Sequence, residues 1–264
     1  MRTATILAAA ATCLALVTAC SVSTGRARTP TQNVASGTDS ASILVDASRD
    51  GGVWWFPQVA PFDPGAEHQG LALVGYLRSR GYRVKELGRG TAITSDLLHS
   101  NGIVIRAGEF GGYTAEETAA YREYVRAGGR LLLLADHMRY APPDELGRSF
   151  GLDFVGITQG GNVLRFISGH PITEGLGPLG YGVGSALLSI PASALVLGTL
   201  DSTGFVDLND NGQQEEGEPS APVVLGAMAF GSGRIVFCGD TNLWEWDTAQ
   251  PLLDNVLAWF REGS

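Results

Sequence analysis

This sequence predicts a three-layer α/β sandwich: a mainly parallel central sheet, with an antiparallel β extension in the second half of the chain. Three observations point to it. Short, near-continuous apolar runs ("SILVDAS", "GIVIRAG", "RLLLLAD") alternate with segments of helical period in the first half. Strands of a parallel sheet are covered on both faces, so they lack the polar/apolar alternation of a half-exposed strand. Beyond residue 153 the helical period gives way to short apolar runs broken by Gly and Pro. The length of 264 residues suits one such domain, 44% hydrophobic residues supply its core, and 36 glycines imply many tight turns.

The elements follow in order. "SILVDAS" is the first strand. "EHQGLALVGYLRSRG" is a helix with Leu71, Val74 and Leu77 on one face and Gly81 as its stop signal. "YRVKEL" and "GIVIRAG" are the second and third strands. "TAEETAAYREYVRAGG" opens on a Thr cap, carries acidic residues in its first turn, and ends in Gly-Gly, so it reads as a helix. "RLLLLAD" is the fourth strand, and "PPDELGRSFGL" is a short helix with Pro at its start. "NVLRFI", "ALLSI" and "ALVLGTL" are strands at the sheet edge or in a small second layer. "APVVLGAMAF" and "RIVFCGD" form a hairpin around Gly-Ser-Gly. "QPLLDNVLAWF" closes the chain as an amphipathic helix, with Leu252, Leu253, Val256 and Phe260 at helical spacing.

Residues 1–19 read as a lipoprotein signal peptide. Arg2 precedes an apolar stretch that ends in Val17-Thr18-Ala19-Cys20, small residues leading into a cysteine. Cys20 is the expected lipidation site, acylated by palmitate-type chains, and the chain is then held at the extracytoplasmic face of the cell membrane. A plain secretory signal or an uncleaved anchor is the competing interpretation. Residues 20–40 are rich in Ser, Thr and Gly and read as a flexible tether, leaving 41–264 as the domain. Cys13 leaves with the signal, so Cys238 is the one thiol of the mature domain; within "RIVFCGD" it reads as a buried small hydrophobe. The net charge of −9, with no Lys/Arg cluster, excludes a phosphate-seeking nucleic-acid face.

The order of these pieces resembles the class I glutamine amidotransferase-like, flavodoxin-like domains, and within them a secreted or lipoprotein branch that includes relatives of gliding-motility auxiliary proteins. The resemblance spans residues 43 to 260. It is carried by "ILVDASRDGG", "GLALVGYLRSRGYRV", "AEETAAYREYVRAGGRLLLLAD", "HPITEGL", "GRIVFCGDTNLW" and "LLDNVLAWF". True amidotransferases of this fold hold a nucleophilic Cys in a tight elbow after the strand that matches Leu131–Leu134. Here that place reads Ala135-Asp136-His137-Met138. The resemblance therefore implies the fold and argues against glutamine hydrolysis, which needs a polarisable nucleophile beside a base.

Ligands of open α/β sheets bind outside the carboxyl ends of the strands. Asp46 and Arg49 follow the first strand, Arg106 and Glu109 the third, Asp136 and His137 the fourth, and Asp240 ends the late strand. These form the expected ligand-binding rim, although Asp at a strand end also caps turns and helices. His68, before the first helix, is either a ligand contact or a loop histidine. Trp54 and Trp55, with Phe56, lie in a long loop and would wall a sugar or apolar site, or else plug the loop onto the core. No HExxH, GxSxG or paired-His spacing occurs.

"DLNDNGQQEEGE" fits the calcium-loop pattern D-x-[DN]-x-[DN]-G-x5-E. Asp207, Asn209, Asn211, Gln213, Glu215 and Glu218 are the expected oxygen ligands, with Gly212 at the turn. Strand-like Phe205-Val206 before it and Pro219 after it are foreign to a helix–loop–helix site, and an acidic turn is the alternative. Calcium is the one cofactor suggested, and no organic cofactor is implied. Three functions remain open: a non-catalytic, membrane-tethered binding domain for a glycan, other small molecule or protein; a hydrolase using Asp136 and His137; and a structural envelope lipoprotein.

Overall fold

In chain order the elements are β1 (Ser42–Asp46), α1 (Leu71–Ser79), β2 (Arg83–Leu87), α2 (Ser95–His99), β3 (Ile103–Arg106), α3 (Ala115–Arg126), β4 (Arg130–Leu134), α4 (Glu145–Ser149), β5 (Asp153–Val155), β6 (Ile157–Gln159), β7 (Val163–Phe166), β8 (Leu179–Gly180), β9 (Ala186–Ser189), β10 (Leu195–Leu200), β11 (Phe205–Asp207), β12 (Val223–Phe230), β13 (Gly233–Cys238) and α5 (Gln250–Arg261). The computed structural model describes residues 42–49, 68–108, 112–138 and 143–262. Glu109, Trp54, Trp55 and the expected lipidation site Cys20 lie outside the described residues.

The main sheet runs β2-β1-β3-β4-β13-β12-β10-β7-β8, with β9 joining β12 to β5; β6 and β11 pair separately. β2, β1, β3, β4 and β13 are mutually parallel, and β12, β10, β7 and β8 add antiparallel strands on one side. The order of the five parallel strands is that of the flavodoxin-like doubly wound sheet. β3 and β4 are buried at every residue, which explains their unbroken apolar sequences. Their side chains divide between two cores. Ile43, Val45, Ile105, Leu132, Leu134 and Val236 pack with α1 and α5, while Leu44, Val104, Leu131, Leu133, Ile235 and Phe237 pack with α2, α3 and α4. The result is the three-layer sandwich expected, with the antiparallel extension where the helical period stops.

Most local signals hold. Gly81, at φ 87°, ends α1 in the left-handed conformation that glycine adopts at least cost. Thr114 and Glu117 form a capping box at the start of α3. The buried face of α5 contains Leu252, Leu253, Val256 and Phe260. One expectation needs correction: Leu71 does not share the inner face of α1. It is exposed, and Leu73 joins Val74 and Leu77 inside. The helix starts at Leu71, so its first residue lies at the end of the element and its direction is set by the docking of the later turn.

Among the described residues no helix is long and apolar enough to cross a membrane. Because β1, β3, β4 and β13 run parallel, their carboxyl ends lie along one edge, and that edge carries Asp46, Arg106, Asp136 and Asp240.

Candidate functional site

The rim is built as two neighbouring groups. The first lies at the ends of β1 and β3, paired in register at Asp46 and Arg106. Asp46 is buried. Its Oδ2 accepts from the Tyr121 hydroxyl at 2.5 Å and the Tyr113 hydroxyl at 2.9 Å, and its Oδ1 from the Ser48 amide at 2.8 Å. Burial, then the charge of Asp46, pushes the Tyr121 phenol well above its usual range. Arg106 is fully buried and ion-paired with Asp144, which also caps α4 by accepting from the Gly147 amide at 2.8 Å. Arg49 pairs with Glu117 at 2.6 Å and lies over the Tyr113 ring at 5.1 Å. Burial opposes ionisation of Glu117, but the Ile93 and Thr114 amides and Arg49 outweigh it and hold the carboxyl below its usual value. This half of the rim is knitted to α3 and α4 by charged pairs that use the polar groups internally.

The second group lies at the ends of β4 and β13, where Ala135 donates its amide to the Cys238 carbonyl at 2.8 Å. Asp136 and Asp240 are both fully buried. Asp136 accepts from the Thr241 hydroxyl and, at 2.8 Å, from the His137 amide. Asp240 accepts from the Asn242 amide at 2.8 Å and the Gly182 amide at 3.1 Å. The His137 ring nitrogen Nε2 lies 2.6 Å from the Val183 carbonyl and 3.3 Å from Asp136. A carbonyl can only accept, so Nε2 carries the proton in this arrangement. The segment 181–184 thus crosses over the two carboxyls. Its approach is tight: a Cβ on Gly184 would meet the Gly239 carbonyl oxygen, and one on Gly239 would meet the Ser185 carbonyl oxygen. Both positions need glycine for this reason.

Burial, then the nearby charge of Asp136, raises the Asp240 carboxyl to about 8. Asp136 is also raised, by burial first, against the opposing pull of Thr241 and His137. Two buried carboxyls that interact cannot both ionise cheaply, so near neutral pH the pair holds a proton. Glu245 is raised as well, by burial and then by Asp136, although Asn242 donates to it at 2.6 Å. Cys238 is fully buried and its thiol is pushed to about 12, by burial and then Asp240, which makes it inert as a nucleophile.

The remaining predicted residues belong to neither group, although His68 contacts Glu86, the register partner of Val45 beside Asp46. His68 is buried beside α1, its Nε2 3.2 Å from Glu86 of β2. In the 207–218 loop the buried Asp207 accepts from the amides of Asn209, Asp210 and Gly212, and Glu218 accepts from Leu208 and Glu215. Asn209 and Asn211 each donate to Glu215 at 2.8 Å, and Asn211 Oδ1 accepts from the Gln213 amide. Among the described residues no three His, Cys, Asp or Glu side chains converge as a metal-holding group. A cavity of about 620 Å³ is lined by Ser168, His170, Thr173 and Glu174 and their neighbours; β7 leads into it at the amino-terminal edge of the parallel strands, away from the acid pair. Sequence reasoning missed Tyr113, Tyr121, Asp144, Thr241 and Trp246. Of these, Thr241 and Trp246 lie in or beside "GDTNLWEW", the polar and aromatic cluster just after the last strand.

No family model matches this chain, and no curated protein is detectably similar to it. Among solved structures it is similar to the mmIFT52 N-terminal domain, at 18% identity and a TM-score of 0.63, over 85% of this chain and 99% of that one. It is also similar to a ThuA-like protein from Parabacteroides merdae, at 16% identity and a TM-score of 0.55, over 85% and 90%. A β-galactosidase from Rahnella sp. R3 matches at 14% identity and a TM-score of 0.50, over 82% of this chain but 31% of the enzyme. At these identities the likeness shows the fold alone. The fold is class I glutamine amidotransferase-like.

The acid pair has a pH signature. Between the usual carboxylate value near 4 and the raised value of about 8, the native state keeps a proton that the unfolded chain has released. Asp240 therefore costs stability as pH rises through this window, by at most about 1.4 kcal/mol per pH unit. Asp136→Asn removes the neighbouring charge and should flatten this part of the slope. Thermal melts from about pH 5 to pH 8, wild type against variant, check this; parallel slopes would refute it.

Proposed function

We propose that this chain is an extracytoplasmic binding domain, tethered to the membrane through a lipid on Cys20, that takes a carbohydrate at its strand-end rim and performs no amidotransferase chemistry. The observation that carries the non-catalytic part is the end of β4. Where the scaffold would need a nucleophile, the chain continues as Ala135-Asp136-His137, and the thiol of Cys238 is buried and protonated. The carboxyls of Asp46, Asp136 and Asp240 are fully buried and already engaged by protein donors, which suits a preorganised wall better than proton transfer to a substrate. The carbohydrate is supported by the likeness of the fold to one part of a β-galactosidase and by the aromatic sequence stretch Trp54-Trp55-Phe56.

A hydrolase is the second reading, favoured by one observation: a carboxyl kept protonated near neutral pH beside a second carboxyl and an imidazole is an acid–base set. Hydrolysis would require segment 181–184 to lift off both carboxyls. Titration calorimetry of the full-length protein with lactose and cellobiose should show saturable binding, with the sugars recovered intact. Cleavage that Asp136→Asn abolishes would favour the hydrolase, and no heat with either sugar would count against the carbohydrate.

The 207–218 loop is proposed to bind calcium. Its backbone donors to Asp207 and Glu218 do not exhaust carboxylates that have about four lone-pair sites each. Millimolar calcium should raise the melting temperature reversibly with chelator, and Glu218→Gln should abolish the shift; a melt indifferent to calcium would leave only an acidic turn. For the tether, Cys20→Ala should release the protein from membrane fractions, and unchanged sedimentation with membranes would refute the lipid anchor.

A further inference from the structure

Trp246 lies between two short 3-10 turns, Asn242–Glu245 and Asp247–Ala249, just past β13. We infer that its indole is the stacking platform of a carbohydrate subsite at the β13 end of the rim. This rests on the carbohydrate reading above and deepens it by naming the surface on which the sugar ring lies.

Part of the indole rests on backbone. A Cβ added at Gly180 would lie 3.5 Å from Cζ3 of the ring, and one at Gly182 would lie 3.7 Å from Cη2, so the ring borders the segment that carries these two glycines. Trp246 nonetheless keeps 38% of its surface exposed, in contrast to the buried Trp244 two residues before it. An indole that borders backbone along part of its ring and belongs to a partly exposed residue presents a polarisable surface without a large loss of side-chain freedom on binding.

Polar groups lie on the two segments that carry and border the ring. Asn242 and Glu245, both half-buried, are held together by the 2.6 Å hydrogen bond from Nδ2 to Oε1. The Gly182 amide donates to Asp240 at 3.1 Å. One residue further along the same segment, the Val183 carbonyl holds the His137 imidazole at 2.6 Å, and that ring is partly exposed. An apolar plate with carboxylate, carboxamide and imidazole groups around one short segment matches a pyranose, which has a C–H face and a rim of hydroxyls. The same carboxylates, in a chain of net charge −9, disfavour a phosphate-bearing nucleotide. A single ring set among polar groups is too small an apolar area for a lipid chain.

The test is titration of the full-length protein with lactose and cellobiose, repeated for Trp246→Ala and Trp246→Phe, with circular dichroism and melting temperature recorded for each. Trp246→Ala should weaken binding about tenfold and Trp246→Phe only a few-fold, because Phe retains a smaller aromatic face. If Trp246→Ala does not fold, the graded loss in Trp246→Phe decides alone. Wild-type binding that neither variant changes overturns the subsite while the carbohydrate reading stands. No binding by the wild type overturns both.

Discussion

The candidate site depends on the lateral pairing of two parallel strands. β4 and β13 run side by side in register, so the residues just past their ends, Asp136 and Asp240, emerge together into a space closed by 181–184. In that low-dielectric setting a second negative charge is costly, and the pair keeps a proton near neutral pH. The pair is held by donors from both strands and from the covering segment: Thr241, His137, Asn242 and Gly182. Small residues are part of the same constraint, since the contact between Gly184 and Gly239 leaves no room for side chains.

The neighbouring half of the rim uses the same edge differently. Asp46 is shared between two tyrosines from the start and middle of the α3 region, and Arg106 is neutralised by Asp144 at the start of α4. Arg49 and Glu117 tie the end of β1 to the α3 capping box. These contacts fasten helices to the sheet. The edge therefore contains a braced part at β1 and β3 and, at β4 and β13, a part flanked by the exposed Trp246 and the half-buried His137, Asn242 and Glu245.

The parallel strands of the amidotransferase-like fold explain why polar residues gather at this edge, and the residues past β4 are not those of a nucleophile elbow. Ala135-Asp136-His137 supplies acceptors and an imidazole where a thiol would be needed, and the thiol of Cys238 faces the core formed by α1 and α5. The likeness to proteins as different as mmIFT52 and a β-galactosidase is one of fold.

Several features were legible in the sequence because they depend on local chemistry. Buried strands such as Arg130–Leu134 show as apolar runs, α3 shows through its Thr114 cap, and the β12–β13 hairpin shows through its Gly-Ser-Gly turn. The rim could be expected from parallel strands and the Asp or Arg at their ends. α2 was missed because five residues are too short to show a period. The burial of His68 against Glu86, the pairing of Arg106 with Asp144 and the outward turn of Leu71 were not legible, because each depends on how a helix docks. By itself the sequence determined the layer order and which residues end the strands, since periodicity and turn chemistry are local. Only the tertiary structure decided which carboxyls face each other and share a proton, and which tryptophan after β13 lies open, because those follow from contacts between segments far apart in the chain.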